Sequence, residues 1–224
     1  MHVCLFDIDG TLIRSGGAGS AAFGVAMRKL FGPPRHEPDV IYTGRTDRAI
    51  AGDLFGAFAI DDSAENFRRF QDEYLRCLPD ALAERDGRVL PGIASLVSLL
   101  NDRDDVLVGL LTGNMHRGAR TKLEHYGLWR EFAFGAFGDV RRERDDVARD
   151  AIELIAERLD GEPDAERVWV IGDTPRDVAC ARAVGARAIA VATGTHTREE
   201  LIDSCADLLL DDLADPGPLL ELMG

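Results

Sequence analysis

Three short segments of this 224-residue chain hold residue types whose spacing suits chemistry on an anion. In Asp7-Ile8-Asp9-Gly10-Thr11-Leu12 two carboxylates flank one apolar residue, directly after the apolar run Val3–Phe6. Residues two apart on a strand share a face, but here Asp7 ends the run and Asp9 falls in the turn that Gly10 permits. Carboxylates so placed repel each other unless a cation sits between them or one is protonated. Magnesium suits that position, because it prefers oxygen ligands and keeps water and phosphate oxygens in its shell. The plainer alternative has Asp9 capping a following helix. In Leu110-Leu111-Thr112-Gly113-Asn114 a hydroxyl ends a second apolar run. The glycine turn after it exposes backbone N–H groups to an anion, or Asn114 simply caps the next helix. A third run, Val168–Ile171, ends in Gly172-Asp173, with Asp177 at the start of a helix. A carboxylate just beyond a buried strand is costly without a partner. A metal shared with Asp7 would be one, and helix capping by Asp173 or Asp177 is the alternative.

The elements that must position these residues are legible as an alternation. Apolar runs predict strands at Val3–Asp7, Val106–Thr112, Phe132–Phe137, Val168–Gly172, Ala188–Ala192 and Leu208–Leu210. They lack strict two-residue alternation, as expected for strands covered on both faces. Helical spacing separates them at Gly92–Asn101, Arg117–Tyr126, Asp146–Leu159, Arg176–Ala183 and Arg198–Cys205, with Gly127 and Gly185 placed as stops. Strand alternating with helix predicts an α/β fold, a doubly wound, mostly parallel sheet of Rossmann-like form. The exception is the stretch after Asp7, where Ser20–Leu30, Arg48–Phe55 and Ala64–Leu75 carry helical spacing, broken at Phe31–Pro38 and Leu78–Pro91. The expected division is a catalytic core from 1–14 and 91–224 with an inserted all-helical domain at 15–90. Such an insertion lies over the carboxyl ends of the strands, where doubly wound sheets bind ligands. Ser15-Gly16-Gly17-Ala18-Gly19-Ser20 is a candidate hinge for this lid.

With the motifs in this order at the ends of separate strands, the sequence resembles the haloacid dehalogenase-like (HAD) hydrolase superfamily, in the branch similar to phosphoglycolate phosphatases with a helical C1-type cap. The resemblance covers essentially the whole chain and rests on Asp7–Leu12, Thr112-Gly113-Asn114 and Gly172-Asp173 through Asp177. It implies a magnesium-dependent phosphomonoesterase that works through an aspartyl-phosphate. By resemblance, Asp7 is the nucleophile, and Asp9 first protonates the leaving alcohol and then deprotonates water. Magnesium is held by the Asp7 side chain, the Asp9 backbone carbonyl and Asp173, with Asp177 in support. Thr112 and the N–H groups of Gly113 and Asn114 bind the phosphoryl oxygens. The double duty of Asp9 works if burial and neighbouring charge raise its pKa.

One departure from the family pattern concerns the lysine that neutralises the nucleophile between the threonine turn and the Gly-Asp strand. No lysine follows Lys122, which lies on the helix just past the turn and reads as badly placed for that role. Arg144, directly before the next helix, is the candidate replacement, with Arg142 in reserve, since a guanidinium stays charged and can bind two oxygens. In the insertion, Tyr42-Thr43-Gly44-Arg45-Thr46-Asp47 precedes a helix. Thr46 or Asp47 caps it, or Gly44 and Arg45 face the cleft and Arg45 reads a carboxylate or second phosphate on the substrate.

Composition bounds the rest. With 26 Lys+Arg against 40 Asp+Glu the net charge is −14, which argues against nucleic acid as a partner and requires local positive charge around any anionic substrate. No apolar run is long enough for a membrane span, and the start of the chain reads as no secretory signal. Cys4, Cys77, Cys180 and Cys205 follow no metal-binding spacing and read as reduced thiols of a cytoplasmic protein. His2, His36, His116, His125 and His196 form no cluster and read as structural or exposed. The expected partner is a small phosphorylated metabolite, with the chain a monomer or homodimer. Rival readings are a phosphotransferase of the β-phosphoglucomutase type and a non-catalytic, phosphate-responsive regulator. A haloacid dehalogenase fits poorly, because that chemistry needs no metal and its relatives lack an equivalent of Asp9.

Overall fold

The computed structural model describes residues 1–34 and 38–224, so His36 and the middle of the expected break at Phe31–Pro38 lie outside the described residues. The first strand, β1 (His2–Phe6), leads through β2 (Ile13–Arg14) into three helices, α1 (Ala18–Phe31), α2 (Asp47–Phe58) and α3 (Ala64–Ala83). The chain returns through β3 (Arg88–Val89) to α4 (Ile93–Asn101), β4 (Val106–Leu111), α5 (His116–His125), β5 (Gly135–Ala136) and α6 (Arg144–Leu159). Then come β6 (Val168–Gly172), α7 (Pro175–Ala183), β7 (Arg187–Val191), α8 (Arg198–Asp203), β8 (Leu208–Leu210) and α9 (Gly217–Glu221).

Six strands pair in the order β5-β4-β1-β6-β7-β8, every pair parallel. Alternate residues of β1 serve opposite faces. Cys4 and Phe6 join the cluster under α4, α5 and α9, while Val3 and Leu5 join the one under α6, α7 and α8. Both faces are therefore apolar, which is why the strands read as unbroken hydrophobic runs. The order places β1 between β4 and β6, with Phe6 in register with Leu110 and Ile171. Asp7, Thr112 and Asp173 consequently emerge side by side at one rim of the sheet.

The helices α1, α2 and α3 pack on their own aromatic cluster of Phe23, Phe55, Phe70 and Tyr74, with Phe23 and Tyr74 edge to face at 4.4 Å. Met115, from the loop after β4, is fully buried in the same cluster and so fastens the insertion to the sheet rim. The two short strands β2 and β3 pair antiparallel where the chain leaves and re-enters the core, a ribbon with no signal in the sequence. Of the segment expected as a hinge, Gly16 and Gly17 lie between this ribbon and α1 at positive φ (61 and 77), while Ala18, Gly19 and Ser20 form the first turn of α1.

Two expectations need correction. The break at Leu78 does not occur: α3 continues through Pro79 to Ala83. A proline inside a helix costs about 3 kcal/mol, but Leu78 and Leu82 are buried against the aromatic cluster and offset it. The run Phe132–Phe137 forms only the two-residue β5, preceded by a 3-10 turn at Trp129–Glu131. As the sheet edge, β5 has a single neighbour, β4, to hold it extended.

Candidate active site

The rim of the sheet opens into a cavity of about 650 Å³ whose walls include Asp7, Asp9, Asn114, Lys122, Arg144 and Asp173 from the core side and Tyr42, Arg45, Asp47 and Tyr74 from the insertion. Asp7 is nearly fully buried, and its backbone N–H donates to the Ile171 carbonyl at 2.9 Å, extending the β1–β6 ladder by one residue. Burial pushes its carboxyl up to about 6, even though Arg144 and a hydrogen bond from Thr112 pull the other way. Asp173 and Asp177 are as deeply buried. Asp7, Asp173 and Asp177 can each direct one oxygen to a common point, those oxygens lying within 4.8 Å of one another.

Arg144 is the cation of this cluster. It begins α6, is almost fully buried, and places Nη2 3.0 Å from Asp7 Oδ1 while also pairing with Asp177. Asp177 accepts the backbone N–H of Thr174 at 3.0 Å and its hydroxyl at 2.7 Å, while the Thr174 hydroxyl accepts the Asp177 N–H, closing a capping box at the start of α7. The capping alternative for Asp177 and a place in the carboxylate cluster therefore hold together, since each uses its own oxygen. Asp173 accepts the Thr11 hydroxyl at 3.2 Å, and burial with the neighbouring Asp177 and Asp7 carboxylates drives its pKa far upward. Three carboxylates face one guanidinium, so the cluster carries an unmatched double negative charge when ionised. It is also cradled: a Cβ at Gly10 or at Gly194 would strike the Asp173 carboxylate, and Gly10 sits at φ +88. Only glycine lets both loops come that close. Oxygen donors, charge deficit and close backbone all fit a divalent cation.

Asp9 has the opposite surroundings. Its Oδ2 accepts from Lys122 Nζ at 2.5 Å and from Asn114 Nδ2 at 3.0 Å, and its Oδ1 from Ser15 Oγ at 3.0 Å. Burial raises its pKa, but the charge of Lys122 and these three hydrogen bonds outweigh it, so Asp9 is held below the usual carboxylate range. The expected upward shift of Asp9 is thereby corrected. Lys122, which the sequence reading set aside, lies inside the site, paired with Asp9 while Arg144 pairs with Asp7. In the structure Gly118, Ala119, Lys122 and Leu123 form the buried face of α5, and a lysine on such a face needs a buried partner. Burial lowers Lys122, yet Asp9 and Asp47 together hold it above its usual value.

Thr112 is fully buried, and its hydroxyl accepts from Asn114 Nδ2 at 2.9 Å and from the Asn114 backbone N–H at 3.3 Å. Asn114 also receives Lys122 Nζ on Oδ1 at 2.6 Å, so it links the threonine to the Asp9 pair; the cap position of α5 is Met115 instead. The Gly113 carbonyl accepts the Asp47 N–H at 2.7 Å, and a Cβ there would strike the Arg45 carbonyl, so this turn is also where the insertion rests on the core. Thr46 caps α2 by accepting the Ala49 N–H at 3.1 Å, which is the plainer of the readings for this segment. Gly44 and Arg45 line the cavity wall, but Arg45 Nη1 pairs with Asp53 at 2.5 Å. Arg142 points away from Asp7, to Asp62. Asp47, unremarked in the sequence except as a possible cap, is buried, accepts the Met115 N–H at 2.8 Å, and is pushed by burial up to about 7.

Comparison with known proteins agrees with this architecture. The family model of haloacid dehalogenase-like hydrolases matches residues 4–182. A phosphoglycolate phosphatase from Synechococcus elongatus is 30% identical over 96% of this chain and 95% of its own. One from Rhodospirillum rubrum is 29% identical over 96% and 89%. Among solved structures, a predicted phosphoglycolate phosphatase from Haemophilus somnus superposes with a TM-score of 0.74 over 98% of both chains at 15% identity, and so bears on the fold alone. CbbY from Rhodobacter sphaeroides, solved with phosphate, superposes with 0.72 over 97% of both at 22%. The chain belongs to the haloacid dehalogenase-like hydrolases, in their phosphoglycolate phosphatase-like branch, and is a phosphatase.

Proposed function

We propose that the chain is a cytoplasmic, magnesium-dependent phosphomonoesterase that hydrolyses a small organic phosphate, such as phosphoglycolate, through an aspartyl-phosphate on Asp7. The observation that carries this reading is the convergence at one rim of the sheet of Asp7, Asp173 and Asp177, with oxygens within 4.8 Å of one another, where Arg144 pairs with Asp7 at 3.0 Å and Lys122 with Asp9 at 2.5 Å. Asp7, the backbone carbonyl of Asp9 and Asp173 would hold the magnesium ion, with Asp177 in support, and when bound its charge offsets that of the transferring phosphoryl group.

An Asp7 oxygen attacks phosphorus while the bond from phosphorus to the ester oxygen breaks, and Asp9 gives its proton to that departing oxygen. The Asp9 carboxylate, poised by Lys122, then takes a proton from the water that attacks the aspartyl-phosphate. Inorganic phosphate leaves and Asp7 is restored. The proton for the first step reaches Asp9 when the negative phosphate enters beside it and raises its proton affinity. Thr112, with the N–H groups of Gly113 and Asn114, orients the phosphoryl oxygens, and Arg144 steadies Asp7 in the task the family gives a lysine. The insertion at 15–90 acts as the lid, with Gly44 and Arg45 in its wall. The test is phosphate release, with and without magnesium, from a panel of carboxylic-acid, sugar and nucleotide phosphates, alongside transfer to a sugar phosphate from a bisphosphate donor. Magnesium-dependent hydrolysis of small esters is the expected result; transfer without hydrolysis, or no turnover at all, contradicts it.

A further inference from the structure

We infer that Arg14, on the ribbon joining core to insertion, reads a second anionic group on the phosphate ester, so that the preferred substrates are small phosphates bearing a distal carboxylate or phosphate. This rests on the phosphatase reading above. Four cationic side chains line the active cavity: Arg14, Arg45, Lys122 and Arg144. Three are already matched by carboxylates, Arg45 by Asp53 at 2.5 Å, Lys122 by Asp9 at 2.5 Å, and Arg144 by Asp7 at 3.0 Å and by Asp177. Among the described residues Arg14 has no carboxylate partner. Arg14 is exposed, and its Nη2 donates to the Thr193 carbonyl at 2.7 Å, which orients the guanidinium while leaving its charge unmatched.

That anchor holds Arg14 at the site. The Thr193 hydroxyl donates to the Gly10 carbonyl at 2.5 Å, and Gly194 lies against the Asp173 carboxylate. On the other side, the next residue, Ser15, donates to Asp9. Arg14 is thus held between the loop that borders Asp173 and the turn that carries Asp9. In a chain of net charge −14 an unmatched guanidinium at the cavity wall is what a second anion would meet. A guanidinium presents its donors in a planar fork that matches a carboxylate or phosphate. The anion-reading role expected of Arg45 therefore passes to the ribbon, because the charge of Arg45 already belongs to Asp53.

The experiment compares kcat/KM within two pairs of esters, 2-phosphoglycolate against 2-hydroxyethyl phosphate, and a hexose bisphosphate against the hexose monophosphate. The native enzyme is expected to favour the anionic member of at least one pair, and which pair does so identifies carboxylate or phosphate as the group read. In Arg14→Gln that preference collapses by about tenfold or more, as loss of a charge-assisted hydrogen bond implies, and Arg14→Lys recovers part of it. In Arg45→Gln it stays within about twofold, because Asp53 already holds the charge of Arg45. No preference in the native enzyme, a preference that survives Arg14→Gln, or one that collapses in Arg45→Gln, each with turnover intact, would overturn the assignment alone. Absence of turnover on every ester would overturn the phosphatase reading and the assignment with it.

Discussion

Asp7 and Asp9 stand two residues apart, yet the two sides of the cavity that they head are built on opposite electrostatic plans. On the Asp7 side three buried carboxylates share one guanidinium, and burial drives Asp7 and Asp173 upward. On the Asp9 side one half-buried carboxylate meets one buried ammonium and two further donors, and is driven downward. The difference teaches what each side lacks. On the Asp9 side one ammonium matches one carboxylate, whereas on the Asp7 side, with its three carboxylates ionised, positive charge falls short by the amount a divalent cation carries. The two carboxylates of one motif thus differ in what surrounds them, and the proposed roles, a seat for a cation at Asp7 and proton handling at Asp9, draw on that difference.

The largest effect that separates the two sides is on turnover: Asp7→Asn removes the proposed nucleophile and should lower the rate by about 10³-fold or more with the fold intact. A steady-state assay that retained most of the rate would break the assignment of roles. Next comes Arg144→Met, which strips the cation paired with buried Asp7 and Asp177 and should cost about 3 kcal/mol of stability near neutral pH in denaturant unfolding. Asp47→Asn asks whether the Asp9 side is neutral, since Asp9 and Lys122 cancel only while Asp47 keeps its proton. With the carboxyl raised from 3.8 to about 7, folded Asp47 retains a proton that the unfolded chain has lost. The contribution of Asp47 to native stability therefore falls as pH rises between about 4 and 7 and levels off above. Asparagine keeps an acceptor for the Met115 N–H and removes that one contribution. The variant should gain on the native protein by on the order of 3 kcal/mol between pH 4 and pH 8; parallel stability curves would contradict it. The smallest effect is Lys122→Met, at about 1 kcal/mol, because Asp9 opens to the cavity and water takes over part of the charge. A loss as large as that of Arg144→Met would erase the asymmetry.

The sheet was legible because its strands are buried on both faces and leave runs such as Val168–Ile171 that have few other uses. The convergence of Asp7, Thr112 and Asp173 followed from the same fact, since the end of a parallel strand is a position the sequence marks. Lys122 was not legible in that way, because reach along a helix axis depends on how α5 lies against the rim, and a lysine mid-helix is ordinarily solvated. Arg45 shows the converse: the sequence brings it to the cavity wall, but its ion pair with Asp53 depends on the fold of α2. Pro79 marked a helix end by local chemistry, and tertiary burial of Leu78 and Leu82 overrode it. The β2–β3 ribbon is two residues wide on each strand and carries no periodicity to detect.

The most direct measurement is the thermal unfolding midpoint of the native chain and of Asp173→Asn as magnesium is titrated in at neutral pH. The charge deficit on the Asp7 side predicts that the native midpoint rises with magnesium, by the equivalent of about 2.7 kcal/mol at a hundredfold excess over the dissociation constant. It predicts that the rise is mostly lost in Asp173→Asn. An equal rise in both proteins, or none in the native chain, would contradict it.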